Sequence, residues 1–291
     1  MAFLMIVNCK SISQAAEKLY VSQPALSNRL RSLEEKLGYS LIQRKKGAHE
    51  LVLTDEGKAF IPIARESQQL WMRAQTILEK TDRNILRVVS VASISAYILP
   101  NVIKEYLKKE NDTSLRVLNC SSEAGYKNVE SGMADLAIIT SDVYGNTLKT
   151  SPAYRTRMVC VSGSKSQFPP IVDINTLSPE KEIQTPWFPD YDNWRANTVP
   201  LVSKPHILVG SMGLMESLIC DDYWCLMPCT IAHRLGRKDI NISEINNPPP
   251  DQHVFYVKRQ GEMTDSMRLF LECLDRELSL ITGTTSYLGD I

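Results

Sequence analysis

No stretch of this sequence stays apolar for the roughly 20 residues that a bilayer-spanning helix requires. Its opening residues, MAFLMIVNCKSISQ, carry neither a basic leader nor a small-residue cleavage site. A membrane span and a secretory signal are therefore not expected, and a cytoplasmic setting is. Catalytic signatures are absent as well. There is no G-x-S-x-G, no phosphate-cradling G-x-x-x-x-G-K-[ST], no H-E-x-x-H and no G-x-G-x-x-G. Histidine occurs at only four positions, His49, His206, His233 and His253, none in a recognisable catalytic setting. An enzyme is not expected on these grounds. The seven cysteines are thinly spread and odd in number, which suits free thiols in a reducing compartment. Cys220, Cys225, Cys229 and His233 match a metal set by residue type. Cys225 falls mid-strand, however, and Cys229 opens the next element, so no metal and no cofactor are expected.

The formal net charge is zero, so the chain as a whole does not attract polyanions. The average conceals an asymmetry. Residues 1–58 hold nine Lys or Arg against six Asp or Glu, a surplus of three positive charges that the rest of the chain offsets. At 291 residues, there is room for two or three compact domains.

Within the basic end, SQAAEKL (Ser13–Leu19) places Ala15, Ala16 and Leu19 on one helical face, where alanine lets a second helix approach closely. Ser22 follows as an N-cap, with Pro24 in the first helical turn, where its missing N–H costs nothing. The next helix, QPALSNRLRSLEEKLG, buries Leu26, Leu30, Leu33 and Leu37 and ends at Gly38. Gln23, Ser27, Asn28 and Arg31 face outward, short or polar enough to meet base edges and phosphates. SLIQRKKGAHELVLT then reads as a hairpin with a basic tip, Arg44-Lys45-Lys46-Gly47. Two helices at a tight turn beside a basic wing form a DNA-reading unit, although a helical hairpin with a solvated basic face has the same local pattern.

The ordered run from Ala15 to Gly57, AAEKLYVSQPALSNRLRSLEEKLGYSLIQR…LTDEG, closely resembles the DNA-binding domain of LysR-type transcriptional regulators. The resemblance implies DNA contacts from Ser22, Gln23, Pro24, Ser27, Asn28 and Arg31 on the recognition helix, and from Arg44, Lys45 and Lys46 on the wing. Asn28 stands where many members carry arginine, so one contact is expected to differ. Phe3 aligns with the middle of the family's first helix, which leaves that helix roughly one and a half turns short. Either translation starts upstream or the helix itself is short.

From Thr54, an N-cap followed by Asp55 and Glu56, a helix is expected to about residue 80. Phe60, Ala64, Ser67, Trp71, Ala74 and Leu78 recur at heptad spacing, a seam for pairing with a second copy or for packing on its own domain. Pro62 is expected to kink it. In the family this helix is the spine of the dimer.

After a polar hinge at residues 80–84, strands are expected over 85–92, 115–120 and 134–140, alternating with helices over 96–109 and 123–131. This β-α-β-α-β order implies a parallel sheet. A second cycle carries strands over 157–161, 182–185, 206–210, 223–227 and 254–257 and helices over 211–220 and 264–281. The local runs LRVVSVASISAYILP, SGMADLAII and GSMGLMESLICDDYWCLMP resemble the family's effector domain, which is similar to periplasmic binding proteins. Two such lobes hold a ligand between their strand C-termini. By resemblance Ser93, Ser95, Ser121, Thr140, Thr185 and Pro186 line that cleft, and an anionic effector is implied. Each hydroxyl has the alternative role of a cap or loop bond. The aromatic run WFPDYDNW (187–194) either lines the cleft or packs a loop.

The expected fold class is α/β with an N-terminal all-α winged helix-turn-helix and a C-terminal two-lobed, periplasmic-binding-protein-like α/β effector module. The expected domains are 1–58 for DNA binding, 59–84 for linker and hinge, and 85–291 for the effector. Within the last, lobe I spans about 85–145 and 256–291, and lobe II about 146–255. The function expected is DNA-binding transcriptional regulation under a small-molecule effector. The partners expected are double-stranded DNA, the effector and further copies of the chain as a homodimer or homotetramer, with no membrane. A ligand-binding protein with a vestigial DNA end, or an enzyme on the α/β module, are the readings from other classes.

Overall fold

A computed structural model describes residues 2–43, 51–75, 84–110, 112–142, 148–198, 207–261 and 263–289. Two compact units, residues 1–79 and 80–291, make up the chain.

In the first unit, α1 (Ala2–Cys9), α2 (Ile12–Lys18) and α3 (Gln23–Leu37) enclose a core of Phe3, Ile6, Ala15, Ala16, Leu26, Leu30 and Leu41. Ser11 caps α2 by accepting the Gln14 N–H, and the α2–α3 turn passes through Tyr20 in the left-handed region at φ 54°. Gly38 ends α3 at φ 80°, a conformation that costs glycine nothing. A two-stranded hairpin follows, β1 (Ile42–Gln43) paired antiparallel with β2 (Val52–Leu53). Then comes α4 (Asp55–Gln75), which runs through Pro62 as one helix. The heptad seam on α4 divides. Phe60 and Ala64 pack on the helical core, the Phe60 ring 5.5 Å from Phe3, whereas Trp71 is 65% exposed and Leu70 53%. Leu78 and the hinge at 80–83 lie outside the described residues.

The second unit has two lobes. The first is built on a six-stranded sheet. In chain order its strands are β3 (Asn84–Ser90), β4 (Thr113–Asn119), β5 (Leu136–Ile139), β6 (Leu148–Thr156), β13 (Gln252–Arg259) and β14 (Thr284–Ser286). In space the order is β14-β6-β13-β5-β3-β4. Strands β3, β4 and β5 are parallel, and β5 buries all four residues, as a central parallel strand must. Helices α5 (Ala92–Tyr97), α6 (Leu99–Lys109), α7 (Ser122–Glu130) and α11 (Asp265–Ser279) complete it. The second lobe holds β7 (Met158–Gly163), β8 (Ile171–Val172), β11 (Trp224–Pro228) and β12 (Ile240–Ile245) in the order β11-β7-β12-β8. Beside them lie a parallel pair, β9 (Ile183–Gln184) with β10 (Ile207–Leu208), and helices α8 (Pro189–Thr198), α9 (Met212–Leu218) and α10 (Cys229–Ala232).

Several expectations are corrected here. Ala92 opens α5 rather than closing β3, and the helix expected over 96–109 is two helices that meet at Ile98. Pro100 has no N–H to give Ala96, so α5 stops and Pro100 sits in the first turn of α6. Leu107, near the end of α6, is 51% exposed. β6 pairs with β13 along eight residues and belongs to the first lobe, so the chain crosses at Arg157 rather than near residue 146. The return crossing precedes Gln252. From Pro189 onward the aromatic run is a helix, α8, rather than a loop. Tyr191 is buried and stacks on Trp194, and the Trp187 indole donates to the Leu226 carbonyl, so these rings fill the second lobe's core.

Candidate nucleic-acid interface and interlobe cleft

Recognition helix α3 is fixed at both ends and along its inner side. Ser22 accepts the Ala25 N–H at 3.4 Å, and the Ser13 hydroxyl donates to Gln23 Oε1 at 3.1 Å, tying α2 to the start of α3. Leu26 and Leu30 are buried. With those two leucines turned inward, Gln23, Pro24, Asn28 and Arg31 stand exposed and Ser27 half-buried on the opposite side. Of these five side chains, Gln23 is engaged by Ser13 and Ser27 is half-buried, while Pro24, Asn28 and Arg31 are exposed.

The hairpin is held against this helix by a side chain that the sequence did not mark. Glu34 Oε1 accepts the backbone N–H of Leu41 at 2.7 Å and of Ile42 at 3.2 Å. Thr54 locks the far side. Its hydroxyl donates to the Ser40 carbonyl at 2.7 Å and accepts the Gly57 N–H at 2.8 Å, and its own N–H donates to the Leu41 carbonyl. A Cβ on Gly57 would stand 2.1 Å from the Leu41 oxygen, so only glycine fits where α4 passes this loop. Arg44, Lys45 and Lys46 lie outside the described residues.

In the second unit, the parallel strands β3, β4 and β5 end along one edge of the first lobe's sheet. Ser93 is half-buried in the first turn of α5. Ser95, two residues on, shares a 2.5 Å hydrogen bond with Ser90. Ser121 accepts the Ala124 N–H as N-cap of α7, and it is Ser122 that reaches Thr140, hydroxyl to hydroxyl at 3.3 Å. Thr140 also gives its N–H to Ser122 Oγ. In the second lobe Thr185 is buried and donates to the Val209 carbonyl at 2.8 Å, joining the ends of β9 and β10, while Pro186 beside it is exposed. Tyr97 brings the two lobes together. It lies at the end of α5 yet packs against the second lobe's core, and its hydroxyl donates to Glu216 Oε2 on α9 at 2.7 Å. Burial, and the carboxylate it donates to, push the Tyr97 phenol upward, so it remains a neutral donor.

The cysteine and histidine set does not converge. Cys225 is buried in β11, Cys229 donates its thiol to the Thr282 carbonyl, and Cys220 is exposed. Among the described residues no three His, Cys, Asp or Glu side chains are grouped to hold a metal ion, and no helix is long and apolar enough to cross a membrane.

Two family models match this chain. "Bacterial regulatory helix-turn-helix protein, lysR family" covers residues 1–58, and "LysR substrate binding domain" covers residues 79–279. Among curated relatives, the HTH-type transcriptional regulator CysB of Haemophilus influenzae is 36% identical over 140 residues, 46% of this chain and 42% of the relative. The uncharacterised HTH-type transcriptional regulator YxjO of Bacillus subtilis is 31% identical over 149 residues, 50% of each chain. The chain spans about half the length of the curated relatives it matches. Among solved structures, CbnR, described as a LysR family transcriptional regulator, superposes with a TM-score of 0.69 at 16% identity, covering 95% of this chain and 96% of that one. Full-length CbnR complexed with its target DNA gives 0.67 at 16% identity, covering 95% and 97%. At that identity the likeness establishes the fold, an N-terminal winged helix-turn-helix followed by a two-lobed α/β module.

Proposed function

The chain belongs to the LysR family of bacterial regulators, and on that premise we propose that it is a cytoplasmic, sequence-specific DNA-binding regulator of transcription rather than an enzyme. The observation that carries the reading is the outer face of α3. Gln23, Pro24, Ser27, Asn28 and Arg31 line one side of a helix whose other side is bolted to its core, the arrangement that presents side chains to a major groove. In this reading Ser22 and Arg31 hold phosphates, Gln23, Ser27 and Asn28 read base edges, and Arg44, Lys45 and Lys46 add wing contacts to the backbone.

A small effector, carrying negative charge, binds between the lobes of the second unit. Ser93, Ser95, Thr140 and Thr185 supply hydroxyls from both sides, with Ser121 and Pro186 at the rim. Two chains pair through α4, whose exposed Ile63, Leu70 and Trp71 leave apolar surface of the kind a second copy covers. Higher assembly to a homotetramer follows the family. Effector binding shifts the balance between assemblies that space the recognition helices differently along the promoter.

Nuclease footprinting on the DNA upstream of the gene tests this. Two protected half-sites about one helical turn apart, or a multiple of it, are expected. Uniform cleavage across that DNA at saturating protein contradicts the reading.

A further inference from the structure

The two lobes of the second unit are joined covalently at two crossings. They are also joined by a side-chain contact far from either in sequence. Tyr97 closes α5, the helix whose first turn carries Ser93. Its ring leaves the first lobe and packs against the second lobe's core of Ile183, Val209 and Met215. Its hydroxyl lies 2.7 Å from Glu216 Oε2 and 3.5 Å from the Met212 carbonyl, both on α9.

The receiving helix is itself braced. Arg237 Nη1 donates to the Glu216 carbonyl at 2.7 Å and to the Ile219 carbonyl at 3.0 Å, and its guanidinium is held by both oxygens of Asp239. Three residues before α9 begins, Val209 takes the Thr185 hydroxyl on its carbonyl and gives its N–H to Gln184. A pull on Glu216 is thus delivered to the segment that carries Thr185. A pull on Tyr97 is delivered to the short helix that carries Ser93 and Ser95. The break at Ile98 leaves α5 six residues long and separate from α6, so it has its own freedom to tilt.

We propose that the Tyr97–Glu216 hydrogen bond is an interlobe catch, a polar contact whose making and breaking sets how far the first and second lobes separate at the cleft. It is well suited to the task. The bond is charge-assisted and so strong enough to bias two arrangements. It is also partly solvated and joined to a ring that packs on apolar surface, so it opens without unfolding either lobe; the ion pair of Arg234 Nε with Glu277 Oε1, at 2.7 Å, is a second link between the lobes. Insofar as the cleft holds an effector, which rests on the reading above, ligand closure and the catch are one equilibrium.

Amide hydrogen exchange on the full chain tests the catch without any ligand, so its failure would leave the effector reading untouched. Tyr97→Phe keeps the ring and removes only the donor. Exchange at residues 92–98 and 212–218 is expected to rise about tenfold, the effect of losing one partly exposed charge-assisted bond. β3, β13 and α11 should keep their protection. Glu216→Ala should give the same pattern, and the double variant should add nothing further, because both changes break one bond. Unchanged exchange at both segments, a uniform rise throughout both lobes, or additive effects of the two changes would each overturn the proposal.

Discussion

The carboxylate of Glu34, on the inner side of the recognition helix, accepts the backbone N–H of Leu41 at 2.7 Å, and one side chain thereby fixes where the hairpin leaves the helix. The same oxygen takes the Ile42 N–H. The wing inherits its direction from these two bonds. Replacing Glu34 by alanine leaves two part-buried donors without a partner, a loss of about 1–3 kcal/mol. Exchange protection at residues 41 and 42 should fall accordingly, and Glu34→Gln, which retains an oxygen acceptor, should lose less.

Gly57 makes a second, steric prediction. With the Leu41 carbonyl 2.1 Å from where its Cβ would stand, Gly57→Ala forces α4 away from the hairpin. Overpacking of this kind costs about 1–3 kcal/mol. Urea unfolding followed by helical circular dichroism should show a lower midpoint for the first unit, with the second unit's transition unmoved.

Trp71 gives a third. An aromatic 65% exposed on a helix is covered if two copies pair along α4. Trp71→Glu places a charge in that seam, and sedimentation velocity should shift toward the single chain while the fold, read by circular dichroism, is retained.

The thiols divide by burial. Cys160 lies in β7 and burial pushes its thiol up to about 12; burial raises Cys225 as well. A raised value keeps the thiol protonated and unreactive at ordinary pH, whereas Cys220 is exposed. Brief alkylation of the native protein at pH 8, followed by peptide mapping, should label Cys220 and spare Cys160 and Cys225 until denaturant is added.

The parts of the fold that were legible in the sequence are those whose signal is periodic and local. The leucine stripe of α3, its Ser22 and Gly38 caps, and the apolar face of α11 all specify their elements within a few turns of chain. β6 was not legible, because its nine residues alternate weakly and its partner β13 lies about a hundred residues on. Without that pairing the point of crossing between lobes could not be found. The break at Ile98 was marked by Pro100, a signal overridden by the long apolar periodicity around it. Of the cleft hydroxyls, Ser121 and Ser122 are adjacent and identical. Only the start of α7 decides that one caps the helix and the other faces Thr140. Glu34 was hidden for a related reason. In RSLEEKLG a glutamate reads as solvated surface, and its two backbone partners are visible only once the chain has turned.

Whether α3 reads a DNA sequence is measured by fluorescence anisotropy. Labelled duplex from the region upstream of the gene is compared with a scrambled duplex across a salt series, for the natural chain, Gln23→Ala, Ser27→Ala and Lys46→Ala. The natural chain is expected to prefer the upstream duplex and to keep that preference in moderate salt. Gln23→Ala and Ser27→Ala should erode the preference by about 1–3 kcal/mol each. Lys46→Ala should weaken both duplexes alike and lower the salt slope by about one. Equal, salt-labile binding to both duplexes by the natural chain, or identical losses from all three substitutions, would contradict sequence reading by α3.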